Sequence, residues 1–531
     1  MFKTLNKPHF RNPLILSFST ILLLCLSFPP ADLGYLAWVA CIPWFILIVT
    51  EEKYICLYSL GIGAIFFIIQ LSWLRYIAFI AWVLLSLYCS AYFLAFAFCT
   101  RYITTKLKLP FVVVVPCIWT AMEFVRSFLL SGFPWFFIGH TQYLYLPVIQ
   151  IADITGVYGI SLIIIMSNAA IADLLSRSFT RQRRAFFKLT CILPSVVLAI
   201  SILYGFSWLR HYHPKEGPVV CMVQGNIPQD LKFESTEDDQ LEILKKYTDL
   251  SESIQSTPID LLVWPETMMP GILNIDSALT GRKIDLLSQL TATSLAQKLN
   301  TNLLLGGIAL TFEGEEQVYF NSAYYYNRAG AFIDRYDKIH LVPFGEFTPL
   351  RNYFPFLGNL VPYEIGLTHG HRRIVFPLET LQNEYFIFGA SICYEDTVPS
   401  LIRKFKRDGV DFMLNITNDG WFRDSAELDQ HLAIMVFRAV ENRIPMARAA
   451  NTGISSFVSP DGTIYDKLTD SAGKYREISG TLTNRIKFVN KYTPFYTLYG
   501  DWLAILCVAA TGITLMIAII KPRSVATREP A

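Results

Sequence analysis

The chain has 531 residues, 53% of them hydrophobic, with a mean hydropathy of +0.38 and a formal net charge of +2. That average is too apolar for an ordinary soluble enzyme, and the near-balanced charge gives no reason to expect a nucleic-acid partner. The apolar residues are gathered into separate runs, the pattern of a membrane protein with one large water-facing domain.

Apolar stretches fill residues 12–29, 34–50, 55–74, 77–99, 110–131, 157–175, 189–209 and 501–520. Most approach the ~20 apolar residues that a spanning helix needs, so eight spans are predicted, with Pro29 and Pro30 between the first two. The first run reads as a retained helix rather than a cleaved signal peptide. It has no small-residue cleavage site, and the next run follows almost at once. Leu23-Leu24-Cys25 also lacks the small residues expected before a lipid-modified cysteine. Basic residues gather at alternate ends of the runs: Lys3, Lys7 and Arg11; Arg101, Lys106 and Lys108; Arg177, Arg181, Arg183, Arg184 and Lys188; Lys521, Arg523 and Arg528. The opposite loops hold little beyond Arg75. By the positive-inside rule the N-terminus is cytoplasmic and residues 210–500 lie outside the cytoplasm. The predicted organisation is a membrane domain of seven helices (1–209), an outer domain (210–490), and a final helix with a cytoplasmic tail (491–531). Glu123 and Arg126 fall in or near the fifth run, where charge is costly and often functional. They are about one turn apart, so mutual pairing is the alternative.

In the outer domain, β-rich runs recur at Val219–Gln224, Leu261–Trp264, Asn302–Ala309, Val318–Tyr326, Tyr385–Ile392, Phe412–Thr417 and Ile454–Ser459. Helical patterns lie between them. Residues 236–254 put Leu241, Leu244, Leu250 and Ile254 on one face behind a Ser235/Thr236 cap, and 281–299 and 425–441 are similar. This alternation predicts a layered α/β domain. Asn327-Arg328-Ala329-Gly330 and Ser459-Pro460-Asp461-Gly462 read as hairpin turns. Of ten cysteines, only Cys221 and Cys393 lie in this domain. A disulfide is the default in an oxidising compartment, but Cys221 sits in what reads as a buried strand, which argues against one.

Three polar residues fall at strand ends: Glu266 in Trp264-Pro265-Glu266, Lys338 in Tyr336-Asp337-Lys338, and Cys393 in Ser391-Ile392-Cys393-Tyr394-Glu395. Each alone is ordinary: a cap, a solvated lysine, a packed thiol. A strand ending in an abrupt turn, however, can hold a nucleophile exposed at a sheet edge. In this order the three resemble the Glu–Lys–Cys site of the nitrilase, or carbon–nitrogen hydrolase, superfamily. The chain is similar over nearly its whole length to the apolipoprotein N-acyltransferase family. The matching stretches are Val223-Gln224-Gly225-Asn226-Ile227-Pro228, Trp264-Pro265-Glu266, Leu341-Val342-Pro343-Phe344-Gly345-Glu346, Cys393-Tyr394-Glu395, Asn418-Asp419-Gly420-Trp421-Phe422, Gln430-His431-Leu432 and Ala450-Asn451-Thr452-Gly453-Ile454-Ser455. Three positions depart from the family pattern. Phe233 stands where many members have Trp, Arg423 where Gly is usual, and Glu441-Asn442-Arg443 replaces the commoner Glu-x-Gly-Arg.

The resemblance implies a polytopic α-helical membrane domain of about eight spans and an α/β nitrilase-like αββα sandwich between the last two. It also implies the last step of bacterial lipoprotein maturation, in the cytoplasmic (inner) membrane with the catalytic domain on the periplasmic side. A phospholipid acyl chain would pass to Cys393 as a thioester and then to the N-terminal α-amine of a diacylglyceryl-cysteine apolipoprotein. Glu266 would be the general base. Lys338, with the Tyr394 N–H, would stabilise the oxyanion. Glu346 would orient Lys338 and Glu395 would brace the loop, ordinary salt bridging being the alternative for both. The aromatic stretch that includes Phe344, Phe354 and Phe356 reads as a lid or lipid-facing arm, or else as a packed loop. Phe233, Trp421 and Phe422 are further substrate-contact candidates. A monomer is expected. So is the absence of metal and nucleotide cofactors, since His340 and His431 look isolated and no phosphate loop is present. A membrane-anchored amidase using water as acceptor, and a transporter or receptor with a ligand-binding outer domain, remain open at this level.

Overall fold

The computed structural model describes residues 12–51, 53–176, 186–229, 235–343, 345–347, 366–489 and 492–521. The apolar runs form helices, the longer of them Pro13–Ser27, Ile42–Thr50, Ile55–Gln70, Phe79–Leu107, Phe111–Arg126, Val157–Ser176, Phe187–Arg210 and Trp502–Ile520. Among the described residues, four are long and apolar enough to cross a membrane: Phe79–Leu107, Val157–Ser176, Phe187–Arg210 and Trp502–Ile520. The run at 34–50 is divided into the short helices Gly34–Leu36, Ala37–Ala40 and Ile42–Thr50, the last with Pro43 in its first turn. Glu123 and Arg126 each find other partners. Glu123 accepts from Trp119 Nε1 and from the Ile138 N–H, both at 2.8 Å. Arg126 donates to the Phe136 carbonyl at 3.2 Å and lies over the rings of Phe67 and Phe137.

The outer domain contains β1 (Lys215–Gln224), β2 (Leu261–Met269), β3 (Asn302–Glu313), β4 (Glu316–Tyr326), β5 (Phe332–Asp337), β6 (Val375–Glu379), β7 (Tyr385–Ile392), β8 (Phe412–Thr417), β9 (Met446–Ala450), β10 (Ser456–Val458), β11 (Ile464–Lys467) and β12 (Gly480–Phe488). They form two six-stranded sheets, ordered β12-β1-β2-β3-β4-β5 and β11-β10-β9-β8-β7-β6. β1, β2 and β3 are parallel, joined by the Glu237–Glu252 and Lys283–Leu299 helices; β7, β8 and β9 repeat this with Pro399–Arg407 and Glu427–Asn442. Thr236 caps the first of these helices in a reciprocal capping box with Asp239. Both expected hairpin turns form, between β4 and β5 and between β10 and β11.

Strand periodicity explains the layering, because alternate side chains leave opposite faces. Val220, Met222, Leu261, Val263, Leu304 and Tyr325 belong to the core shared with the second sheet, where Tyr325 meets Phe376 and Phe388. Their neighbours Cys221, Val223, Leu262, Trp264, Leu303 and Leu305 pack on Ile243, Leu244, Tyr247, Ile284 and Leu295 of the flanking helices. The two sheets therefore stack face to face with helices outside. Cys221 is fully buried in that packing, and both it and Cys393 are free thiols.

Two buried polar knots fix this domain on the membrane helices. Gln430 accepts from Trp73 Nε1 at 3.2 Å and Trp135 Nε1 at 3.1 Å, and donates to the Pro29 carbonyl and Gln70 Oε1, both at 3.2 Å. Arg443 ends the Glu427–Asn442 helix in the left-handed conformation, φ 47°, the place where a helix commonly has glycine. Its guanidinium donates to Asp153 Oδ2 at 3.0 and 2.8 Å and to Gln150 Oε1 at 2.6 Å, and stacks on Trp208 with its carbon 3.5 Å from the ring centre. Arg443→Ala would leave Asp153 buried without its cation, at a cost of about 3–5 kcal/mol. A lower thermal unfolding midpoint of the detergent-purified protein is the expected result. Arg443→Lys should recover only part of the loss, because an ammonium cannot make the forked contact.

Candidate active site

Backbone irregularities aim the first two site residues. β2 pairs regularly with β3 from Leu261↔Asn302 to Trp264↔Leu305, then loses register until Met269↔Gly307. Pro265 has no N–H for the ladder, and Thr267 takes a φ of 55°. The resulting bulge re-aims Glu266. Gly306 makes room for it: a Cβ there would lie 2.2 Å from the Pro265 carbonyl oxygen. Lys338 follows β5 directly, its N–H donating to the Asn321 carbonyl at 2.8 Å.

The Lys338 ammonium is 1% exposed and sits between two carboxylates, 3.3 Å from Glu266 Oε1 and 2.9 Å from Glu346 Oε1. Asn321 Nδ2 donates to the same two oxygens at 2.7 and 3.1 Å. The remaining oxygens are also held: Glu266 Oε2 accepts from the Asn418 N–H at 2.9 Å, and Glu346 Oε2 from the Val342 N–H at 2.8 Å. Burial works against the charge on Lys338, but Glu346 and then Glu266 outweigh it and raise the pKa above the usual lysine value.

Cys393 begins the Cys393–Thr397 turn at the end of β7, with a φ of 53°. A non-glycine residue holds that conformation only where its surroundings over-determine it. Here Asn415 Nδ2 donates to the Cys393 carbonyl at 3.0 Å, and Glu395 Oε2 accepts the Ile392 N–H at 2.8 Å. The thiol is half-buried. Burial raises its pKa well above the ordinary thiol value, the Glu266 charge adds to this, and Lys338 opposes. These surroundings disfavour the thiolate.

Glu395 is a buried brace. It accepts from Tyr336 OH at 2.8 Å and from the N–H groups of Ile339, His340 and Ile392 at 2.7, 3.0 and 2.8 Å. Tyr394 stacks on Trp135 at 6.4 Å and donates to the Gly132 carbonyl at 3.2 Å. Trp421 and Phe422 lie on the Asp419–Phe422 turn after β8, where Phe422 meets Trp73 edge-on at 5.1 Å. Arg423 follows with φ 53° and ψ −160°, a region that glycine reaches freely, and lies over the Tyr76 ring at 5.0 Å. Phe233, Phe344, Phe354 and Phe356 lie outside the described residues, as does most of the stretch expected to form a lid.

The expectation that His431 is isolated does not hold. Its Nε2 is 2.7 Å from Asp396 Oδ1, which arrives three residues after Cys393; its Nδ1 faces Asp419 Oδ1 at 3.8 Å and Glu427 Oε1 at 3.6 Å. Strand ends and one helical turn bring together residues far apart in sequence. Arg448 bonds Asp396 from β9. Burial pushes the Glu427 carboxyl up to about 8. Asn321, Tyr336, Asn415, Asp396 and Arg448 were missed by sequence reading. The available signal was a polar residue inside an apolar strand run, such as Asn321 within Val318–Tyr326.

Burial, opposed by its donors, pushes the Glu395 carboxyl up to about 7 from an ordinary 4.5. The folded state thus keeps a proton that the unfolded chain releases, so this contribution is full below about 4.5 and is lost as pH rises towards 7. At about 1.4 kcal/mol per pH unit it amounts to about 3 kcal/mol. Unfolding midpoints measured across that window should fall for wild type and lack this slope in Glu395→Gln.

Residues 22–170 match the family described as Apolipoprotein N-acyltransferase N-terminal domain, and residues 220–479 match Carbon-nitrogen hydrolase. The apolipoprotein N-acyltransferase of Geobacter metallireducens is 31% identical over 97% of this chain and 98% of its own. That of Rickettsia prowazekii is 30% identical over 71% of each chain, and that of Pasteurella multocida 27% identical over 93% of this chain and 92% of its own. A chain matched end to end in this way, with Glu266, Lys338 and Cys393 inside its carbon–nitrogen hydrolase domain, belongs to the apolipoprotein N-acyltransferase family.

Proposed function

We propose that this chain transfers an acyl group from a membrane phospholipid, through a Cys393 thioester, to the N-terminal α-amine of diacylglyceryl-cysteine on apolipoproteins. The observation that carries the reading is the buried Lys338–Glu266 pair, 3.3 Å apart, in a carbon–nitrogen hydrolase domain that holds Cys393 at a φ of 53° at the end of β7.

Because its surroundings disfavour the thiolate, attack needs a base. Glu266 takes the Cys393 proton as sulfur adds to the ester carbonyl carbon. Lys338 and the Tyr394 N–H stabilise the oxyanion. The intermediate collapses by breaking the carbon–oxygen bond, and Glu266 returns the proton to the departing lysophospholipid oxygen. The acceptor amine then adds to the thioester, Glu266 removes its proton, the carbon–sulfur bond breaks, and the thiol is restored. Glu346, bonded to Lys338, keeps the ammonium on the site, and Glu395 holds the turn that carries the nucleophile.

Both substrates have their acyl chains in the bilayer, which accounts for a catalytic domain seated on membrane helices. In this reading eight crossings put the domain on the periplasmic side of a bacterial inner membrane, supported by the alternation of Lys and Arg along the sequence. The protein works as a monomer without a catalytic cofactor.

Intact mass after incubation with phospholipid tests the proposal. Wild type should gain one acyl chain that neutral hydroxylamine removes and that a diacylglyceryl-cysteine peptide collects; Cys393→Ala should gain none. Glu266→Gln should slow adduct formation about 10²–10⁴-fold and Lys338→Met about 10²–10³-fold. Release of free fatty acid without transfer to the peptide would mean that water is the acceptor.

A further inference from the structure

We propose that Asp419, Glu427 and His431 form a zinc site beneath the turn that carries Cys393, a site with no part in the acyl-transfer chemistry. One ligand atom from each of the three lies within 4.8 Å of the others, and the residues are only 1%, 2% and 1% exposed. Each presents a buried atom without a hydrogen-bond partner: Asp419 Oδ2, Glu427 Oε2 and His431 Nδ1. Buried polar atoms without a partner are costly unless something satisfies them, and of these His431 Nδ1 faces both carboxylates.

The arrangement around them suits a metal. His431 Nε2 is bonded to Asp396 Oδ1 at 2.7 Å. In a neutral imidazole, a ring nitrogen that donates to a carboxylate leaves the other nitrogen with its lone pair free, the pairing that accompanies most metal-bound histidines. That other nitrogen, Nδ1, is the one facing Asp419 and Glu427, at 3.8 and 3.6 Å. Zinc bonds of about 2.1 Å place tetrahedral ligand atoms about 3.4 Å apart, so small shifts would close the shell, with water in the fourth position. Asp419 Oδ1 is steadied by Thr417 Oγ1 at 2.7 Å, and the imidazole by Trp135 at 5.6 Å.

Arg448 bonds Asp396 and the His431 carbonyl and so holds the Nε2 side of the imidazole in place. One histidine nitrogen with two carboxylates in a tetrahedral setting selects zinc over calcium or magnesium, which take more oxygen ligands. The bound ion would tie together the segment after β7, the segment after β8 and the Glu427–Asn442 helix.

Untagged full-length protein in detergent, stripped with a chelator and titrated with Zn²⁺ against a chromophoric competitor, tests this. Expected are one zinc per chain, a rise in unfolding midpoint on binding, and at least tenfold weaker binding with loss of that rise in Glu427→Gln and in His431→Asn. Glu427→Gln preserves side-chain shape, so it separates loss of a ligand from loss of the fold. The proposal is overturned if wild type takes up no stoichiometric zinc, or if Glu427→Gln binds it as tightly as wild type.

Discussion

The ammonium of Lys338 lies out of water, and much of the site is arranged by what a buried charge demands. One carboxylate would neutralise it; two, Glu266 and Glu346, are present, so the cluster keeps an excess negative charge that must itself be stabilised. Asn321 from β4, the Asn418 N–H after β8 and the Val342 N–H after Lys338 supply the donors. These groups come from both sheets. The site therefore exists only when the sheets are stacked in register, and the packing of Tyr325 on Phe376 and Phe388 is as much a part of its geometry as the polar groups.

The turn that carries Cys393 depends on the membrane domain in a similar way. Tyr394, next to Cys393, is stacked on Trp135 and bonded to the Gly132 carbonyl, and Trp135 also reaches Gln430. Gln430 in turn gathers Trp73, Gln70 and the Pro29 carbonyl. The side chain next to Cys393 is thus held by residues between and at the ends of the apolar helices. The membrane domain helps to shape the site as well as anchoring it.

Much of the catalytic domain was legible in the sequence because its central strands are apolar on both faces, and such runs stand out. β1, β2, β3, β4, β7 and β8 all fall on stretches that read as strands. β5, in which Asp334, Arg335 and Asp337 interrupt Phe332, Ile333 and Tyr336, and the Ala/Arg-rich β9 did not read as strands; their pairing is imposed by neighbours. Glu266, Lys338 and Cys393 could be found because strand ends and family motifs mark them. His431 could not be placed, because its partners Asp396 and Asp419 become neighbours only through the fold. The Gly usual at position 423 is explained by backbone: Arg423 occupies a conformation that glycine reaches freely.

β1 opens the catalytic domain and β12 closes it, yet the two are adjacent, paired from Lys215↔Phe488 to Gln224↔Gly480. In a chain made from its N-terminus, β1 meets β2 early but keeps one edge bare until residue 488 has been synthesised. That edge ends a sheet rich in Val, Leu and Tyr, a template to which other strands can add. The long intervening segment makes completion of this sheet a non-local event, of the kind that folds slowly. The last strand of the domain ends at Phe488 and the final apolar helix begins at Trp502, so sealing of the sheet and arrival of that helix both come late in assembly.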